Sequence, residues 1–229
     1  MDAKSNEDIK GKRKGIEKVK PSPEALDLIE LYNMGQVLRS DPRYYTIYNM
    51  MIITGQRVSE ALQLTGRDIK EEWIIDERTE ESIPSLKIHS VTLKNRHKHT
   101  RDLIIKDLWR LDVRSREYIS TPIADMWNDI KPRINEINKI DGSLKIWGDI
   151  TRSSTRKYMA RRIEFDIPAY DDKKRKRVVV NRCMYPHFLR HCRATNLGGE
   201  LGLYELVSFF GWSSIDMALR YVHVSTKTR

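Results

Sequence analysis

The stretch of residues 185–191, which reads YPHFLRH, says more than any other about the fold of this chain. Pro186 is typical of a first helical turn, so the stretch predicts a helix over 187–197 that glycines then end. His187 and Arg190 would share one face, with His187 in the first turn, where free backbone N–H groups and the helix dipole favour an anion. An arginine guanidinium can hold two phosphate oxygens at once. The stretch therefore predicts a phosphate site at the beginning of a helix.

Residues 54–64, which read TGQRVSEALQL, predict a short helix with one buried apolar stripe. Arg57 and Glu60 are three residues apart on a neighbouring face, so Glu60 is close enough to orient the Arg57 guanidinium. Taken alone, this pattern is more typical of an ordinary amphipathic helix with a surface ion pair. The stripe comprises Val58, Ala61, Leu62 and Leu64.

Two aromatic residues lie near the end of the chain, Trp212 in the stretch 211–214 (GWSS) and Tyr221 nine residues after it. Ser213 and Asp216 have the spacing of a capping box, which predicts a final helix that runs through Tyr221. Taken separately, a tryptophan and a tyrosine near helix ends are far more often core residues than catalytic ones.

Two runs of β-branched and apolar residues, 86–93 and 102–105, flank the polar run 95–100 and predict a β-hairpin. A short strand is predicted at 178–180, after the charged loop 171–177. Apolar spacing predicts further helices over 24–38, 44–53, 107–140, 151–163 and 203–210.

In chain order, the sequence has an arginine before Val-Ser-Glu, a lysine-bearing hairpin, His-x-x-Arg-His, Gly-Trp-Ser-Ser and a tyrosine near the C-terminus. This order and spacing resemble the catalytic domain of the tyrosine recombinases, which include phage-type and Xer-type integrases and the integrases of archaeal viruses and plasmids. The resemblance spans about Ser22 to Ser225. It implies an α+β fold that is mostly α-helical, with a small antiparallel β-sheet or hairpin.

The resemblance also implies a role for each residue that it matches. Tyr221 would be the nucleophile, and Trp212 takes a position that is commonly histidine and sometimes tryptophan. Lys94, at the end of the first hairpin strand, would be the general acid. Lys98 is its rival, because the hairpin tip is longer than usual and lacks the usual glycine. The implied catalytic set is Arg57, Lys94, His187, Arg190, Trp212 and Tyr221, with Glu60 and His191 in support.

The implied enzyme is a DNA strand transferase that cleaves and rejoins DNA for site-specific recombination through a 3′-phosphotyrosine intermediate. Its two arginines would neutralise the charge that develops on the phosphorus oxygens, and His187 would be the general base. Because the ester conserves the bond energy, the resemblance implies neither a metal nor a nucleotide cofactor. Two alternatives share the pattern: a type IB topoisomerase, which relaxes supercoils without exchanging partners, and a non-catalytic DNA-binding protein with this fold.

The charge of the chain agrees with a DNA partner. Lysine and arginine outnumber aspartate and glutamate by 42 to 32, and the formal charge of +10 suggests a polyanion. The basic stretches 152–162 and 173–177 predict sequence-independent contacts to duplex phosphates, although solvated charged faces give the same pattern. The residues assigned to DNA binding are Lys98, Arg152, Arg156, Lys157, Arg161, Arg162, Lys173, Lys174 and Arg175.

Residues 1–20 predict a basic flexible arm, and residues 21–229 are expected to form one catalytic domain. The core-binding domain that usually precedes this catalytic domain is expected to be absent. The expected partners are double-stranded DNA and further copies of the chain, in a dimer or tetramer on DNA. Whether Tyr221 acts in its own active site or in that of a neighbour is open.

Cysteine usage and hydropathy indicate a protein inside the cell. Cys183 and Cys192 imply no disulfide framework, no apolar run reaches the ~18 residues of a membrane span, and the charged N-terminus lacks a signal segment. We expect a cytoplasmic, DNA-associated protein, in the host cell if a virus or plasmid encodes it. The pattern Cys183, His187, His191 and Cys192 suggests zinc, but its spacing is not standard and no metal is expected.

Overall fold

The computed structural model describes residues 22–75, 80–92, 99–112, 114–171 and 174–225. The chain forms two compact units. Of the described residues, the smaller unit comprises 22–24, 167–171 and 174–180, and the larger unit comprises the others. The predicted arm, residues 1–20, lies outside the described residues. Among the helices that the described residues form, none is long and apolar enough to cross a membrane.

The helices begin and end where capping residues allow. They are α1 (Leu28–Gly35), α2 (Pro42–Thr54), α3 (Val58–Ala61), α4 (Pro122–Asp141), α5 (Arg152–Arg162), α6 (Pro186–Leu197), α7 (Leu203–Phe210) and α8 (Ile215–Ser225), with 3₁₀ turns at Gln36–Leu38 and Gly66–Asp68. Helices α2, α4 and α6 each begin with a proline. Proline lacks an N–H, but at the first position of a helix the N–H has no partner within the helix, so no hydrogen bond is lost. Gly55, with a φ of 60°, ends α2 in the left-handed conformation.

The strands of the described residues form three small sheets. They are β1 (Ser22–Pro23), β2 (Ile69–Ile75), β3 (Ser82–Thr92), β4 (His99–Ile105), β5 (Trp109–Leu111), β6 (Tyr118–Ser120), β7 (Glu164–Asp171) and β8 (Lys176–Cys183). In the larger unit, β2, β3 and β4 form an antiparallel sheet in this order, and β5 pairs with β6. In the smaller unit, β1 pairs antiparallel with the second half of β7, which lies between β1 and β8.

Helix α2 lies at the centre of the core of the larger unit. Every residue from Tyr45 to Thr54 is buried, so this helix is surrounded by protein on all sides. Helices α4 and α6 pack against it with their apolar faces. The turn that leads from α2 into α3 is therefore held in a fixed position.

The structure confirms the predicted α+β class, and it forms the predicted hairpin from β3 and β4. Several local predictions are wrong. Strand β2 was not predicted, and β4 begins at His99, inside the predicted hairpin tip 95–100. Residues 107–140 do not form one helical region, because β5 and β6 precede α4. The eight-residue strand β7 was not predicted, and β8 is longer than the strand expected at 178–180. The chain therefore contains more sheet than a single small hairpin.

Candidate functional site

Arg190, in the first half of α6, is held by the backbone of two other helices. Only 3% of its surface is exposed. Its Nη1 donates a hydrogen bond to the carbonyl oxygen of Gly55 at 2.8 Å, and its Nη2 donates to the carbonyl oxygen of Phe210 at 2.8 Å. These carbonyls lie at the C-terminal ends of α2 and α7, where helix dipoles favour a cation. The guanidinium is thus positioned before any ligand binds.

Arg57 and Glu60 form the contact that their spacing predicts. Arg57 Nη1 lies 2.9 Å from Glu60 Oε1, and the Arg57 backbone N–H donates to Glu60 Oε2 at 3.0 Å. The Glu60 side chain has no exposed surface, whereas 33% of the Arg57 side chain is exposed. This is therefore not a surface ion pair: a buried carboxylate holds Arg57 while its guanidinium stays accessible. The predicted apolar stripe of α3, from Val58 to Leu64, is buried.

Arg57, His187 and Arg190 line one cavity with a volume of about 390 Å³. Arg152 and Arg156, which the sequence assigned to contacts along the duplex, line this same cavity. Four guanidinium groups and one imidazole therefore surround a space that suits a phosphate or a similar anion. The other lining residues are Val58, Ser59, Tyr185 and Pro186.

Burial and neighbouring cations set the protonation of two groups in this cavity. Burial lowers the pKa of His187, and the positive charges of Arg190 and Arg57 lower it further. His187 is therefore neutral at neutral pH and able to accept a proton. Burial, followed by the charge of Arg57, lowers the pKa of Arg190 to about 10, so Arg190 stays charged at neutral pH.

A series of aromatic rings joins Arg190 to Tyr221. The Arg190 guanidinium lies 4.9 Å from the centre of the Phe210 ring. Phe210 stacks on Trp212 at 4.7 Å, and Trp212 stacks on Tyr221 at 5.2 Å with an interplanar angle of 9°. The His191 ring also contacts Tyr221, at 5.6 Å between ring centres. Packing between α6, α7 and α8 thus places Trp212 under Arg190 and stacks Tyr221 on Trp212.

The environment of Tyr221 keeps its phenol protonated at neutral pH. Burial raises the pKa of Tyr221, and the positive charges of Arg190 and Arg220 oppose this increase. A nucleophilic Tyr221 therefore needs a base to take its proton, and Arg190 is close enough to stabilise the resulting phenolate.

Gly198, directly after α6, permits the close approach of α8 that places Tyr221. A methyl group on Gly198 would lie 3.0 Å from both the carbonyl carbon and the carbonyl oxygen of Tyr221. Because backbone atoms cannot turn aside, we expect Gly198→Ala to shift α8 and to lower the free energy of unfolding by about 1–3 kcal/mol. Denaturant titration measures this loss. Gly202→Ala is the control, since its methyl group would meet only the flexible Glu205 carboxylate, at 3.3 Å; unchanged stability in Gly198→Ala would contradict the expectation.

The remaining predicted residues do not all fall in the described part of the chain. Lys94, Lys98 and Lys173 lie outside it. Helix α5 is buried on the face of Thr155 and Met159 and exposes its basic residues elsewhere. The exposed residues assigned to DNA binding beyond the cavity are Lys157, Arg161 and Arg162 on α5, and Lys174 and Arg175 in the smaller unit.

The cysteines of the zinc alternative have separate surroundings. Cys183 Sγ lies 3.7 Å from Glu164 Oε1, whereas the buried Cys192 Sγ accepts a hydrogen bond from the Leu26 N–H at 3.4 Å. Burial raises the pKa of the Cys192 thiol to about 12. Within the described ranges, no three His, Cys, Asp or Glu side chains are grouped as metal ligands would be. The geometry thus gives the zinc alternative no support.

Arg101 was not singled out from the sequence, yet it lies beside this site. Its side chain is 13% exposed, and its Nη2 lies 4.0 Å from Glu60 Oε2. Arg101, Leu103 and Ile105 are spaced two residues apart on β4, so they share one face of the strand. Because Leu103 and Ile105 are buried, this is the core-facing side. A charged arginine at a position where the strand pattern predicts a buried apolar residue could have identified Arg101 from the sequence.

Comparison with solved structures finds the same fold in recombinases. The XerH site-specific recombinase bound to its difH substrate matches with a TM-score of 0.52 and 16% identity, over 93% of this chain and 54% of that chain. The XerA recombinase matches with a TM-score of 0.51 and 17% identity, over 92% of this chain and 67% of that chain. A lambda integrase dimer bound to a COC′ core site matches with a TM-score of 0.51 and 16% identity, over 88% of this chain and 49% of that chain. This chain thus spans about half the length of the XerH and lambda integrase chains. No family model and no curated protein matches the sequence.

Proposed function

We propose that this chain, which has the fold of the tyrosine recombinase catalytic domain, cleaves and rejoins DNA in site-specific recombination. The observation that carries the proposal is the cavity shared by Arg57, His187 and Arg190, with Tyr221 joined to Arg190 through stacked aromatic rings. The DNA substrates present in the XerH and lambda integrase structures support DNA as the partner. In this proposal, residues 21–229 form the catalytic domain, and copies of the chain associate on DNA.

The proposed substrate is a phosphodiester in double-stranded DNA. Such a phosphate is an anion small enough for the cavity, and its neighbours along the strand are anions as well. Helix α5 begins at the cavity with Arg152 and continues to Arg162 about 15 Å away, at 1.5 Å per residue. Its exposed basic residues are therefore suited to phosphates that flank the reacting one. Binding through them should weaken as salt increases.

In the proposed reaction, the Tyr221 oxygen attacks the phosphorus, and the bond from phosphorus to the 5′ oxygen breaks. His187 takes the phenol proton, and a hairpin lysine, Lys94 or Lys98, gives a proton to the departing 5′ oxygen. The products are a 3′-phosphotyrosine and a free 5′ hydroxyl. Attack by the 5′ hydroxyl of another strand reverses these steps and joins that strand to the phosphate.

The proposed source of the rate acceleration is the fixed positive charge of the cavity. As the phosphorus becomes five-coordinate, Arg57 and Arg190 neutralise its non-bridging oxygens, and the Trp212 indole N–H adds a donor. Because the backbone already holds Arg190 and Glu60 already holds Arg57, little reorganisation is needed during the reaction.

Covalent capture from a mixture of duplexes tests this proposal and finds the target sequence in the same experiment. Duplexes with a randomised core and a nick near the cleavage point are incubated with the protein, and adducts are isolated under denaturing conditions. We expect adducts that retain the DNA segment on the 5′ side of the cleaved bond, since the phosphate stays on the 3′ end that joins the tyrosine. Adducts attached to the opposite segment, or no adduct from any duplex, would refute the proposal.

Sequencing the captured DNA then supplies the site for a second measurement. A supercoiled plasmid with the captured site should recombine with a partner that carries it. A plasmid without the site should stay supercoiled. Relaxation that is independent of the site and occurs without exchange would instead identify a topoisomerase.

The hairpin lysines give a prediction of their own. We expect Lys94→Ala to slow cleavage of ordinary DNA by about 10²–10⁴-fold, because the 5′ oxygen then departs without a general acid. A substrate with sulfur at the 5′ bridging position should restore the rate, since a thiolate departs without a proton. Lys98→Ala is the paired variant, and the rescued variant identifies the acid. Equal losses in both variants without rescue would mean that neither lysine is the acid.

A further inference from the structure

Arg101 is a largely buried arginine, with 13% of its side chain exposed, and its side-chain nitrogens lack hydrogen-bond partners among the described residues. It lies on β4 opposite Ser90. Among the described residues, its Nε, Nη1 and Nη2 are all buried and have no hydrogen-bond partner. Its ion pair is with Glu60, whose other oxygen contacts Arg57. One buried carboxylate therefore faces two guanidinium groups.

This arrangement is unfavourable for the fold. A cation that is removed from water without hydrogen bonds destabilises the protein, and burial accordingly lowers the pKa of Arg101. The negative charge of Glu60 opposes this lowering of the Arg101 pKa, and the positive charge of Arg57 adds to it. An apolar side chain of similar length would fill this space with less destabilisation. A buried polar group that stays unsatisfied at such a place calls for a functional explanation.

The charges around Glu60 provide that explanation. Glu60 alone would cancel the positive charge of Arg57, which is the charge that a phosphate in the cavity requires. With Arg101 on the other carboxylate oxygen, two positive charges face one negative charge, and the group remains positive. The second ion pair also fixes the carboxylate in the orientation that holds Arg57.

We infer that Arg101 is a positioning residue for the reaction: it balances and orients Glu60, so that Arg57 keeps its place and its charge toward the scissile phosphate. This inference rests on the proposed function. It assigns to β4, through Arg101, a task separate from that of the hairpin lysines, because Arg101 acts through Glu60 on Arg57.

The test compares rates of adduct formation on the captured nicked duplex. We expect Arg101→Gln to react about 10²-fold more slowly than the wild type, because a small misplacement of a reacting group typically causes a rate loss of this size. Adding Glu60→Gln to Arg101→Gln should slow the reaction less than tenfold further, because the residue through which Arg101 acts is already altered. The 5′-sulfur substrate should not restore the Arg101→Gln rate, because the general acid is intact in this variant.

Stability separates this role from a structural one. Arg101→Met removes a largely buried cation that lacks hydrogen bonds, so its Tm should equal or exceed that of the wild type while its cleavage rate falls. Arg110→Gln, at an exposed position of β5, should cleave at the wild-type rate. The inference is overturned by wild-type rates in both Arg101 variants, by rescue with the 5′-sulfur substrate, or by a rate loss in Arg101→Met that accompanies a lower Tm. Absence of any adduct from the wild type would instead overturn the proposed function itself.

Discussion

Tyr221→Phe is expected to abolish the covalent adduct while duplex affinity and thermal stability stay near those of the wild type. The phenylalanine ring retains the stacking on Trp212 and the contact with His191 and loses only the hydroxyl. Removal of an enzyme nucleophile typically costs on the order of 10⁴-fold or more in rate. Denaturing electrophoresis after incubation with the nicked duplex measures the adduct, and a gel-shift titration measures the affinity.

Tyr204→Phe is the matched control for this substitution. Tyr204 lies on α7 with 81% of its surface exposed, so its loss of a hydroxyl should leave adduct formation unchanged. An adduct that persists in Tyr221→Phe would assign the nucleophile to another residue. Mixing Tyr221→Phe with a variant impaired at Arg190 then determines whose tyrosine acts. If the mixture forms the adduct and neither variant does so by itself, the tyrosine of one copy acts in the cavity of another copy.

Local spacing explains why much of this site is predictable from the sequence. Arg57 and Glu60 are in contact because residues three apart meet on a helical turn. His187 and Arg190 reach one cavity for the same reason, and Pro186 begins their helix where the sequence predicts. Such relations depend on the helical repeat alone, so they can be inferred without the tertiary packing.

Relations between distant segments are not predictable in this way. Arg152 and Arg156 share a cavity with Arg57 only because α3, α5 and α6 pack together in the larger unit. Arg101 reaches Glu60 because the β3–β4 pairing presents it to the core. The basic residues of α5 resemble those of any solvated helix, and nothing in their spacing distinguishes the two that line the cavity.

Strand β7 was missed for a different reason. Its residues Phe165, Ile167 and Ala169 are buried and alternate with exposed ones, which is a strand pattern of period two. The charged residues that follow predict a loop, and they obscure the short alternation before them. The order of site motifs thus predicted the fold class better than it predicted the sheets around them.

Arg190 combines two tasks in one side chain. It joins the ends of α2 and α7 by donating to the carbonyl oxygens of Gly55 and Phe210. It also lines the cavity and lies over the Phe210 and Trp212 rings, at 4.9 and 5.9 Å. A planar guanidinium can bond to several acceptors in fixed directions, whereas an ammonium group is a compact charge on a flexible chain. A lysine at position 190 would keep the positive charge, but we expect it not to replace Arg190 in either task.

Arg190→Lys is expected to slow adduct formation by about 10²–10³-fold, because the ammonium cannot satisfy both carbonyls and also contact the phosphate. The variant should lose about 1–3 kcal/mol of stability, since a buried carbonyl is left without its donor. Arg193→Lys is the control on the same helix: Arg193 is 1% exposed, and it binds Asp107 at 2.6 and 2.8 Å. Arg193→Lys should lose stability yet keep the wild-type rate of adduct formation. The rates are compared below the Tm of both variants and are divided by the amount of folded protein. Equal rate losses in the two variants would mean that Arg190 supports the fold and not the phosphate chemistry.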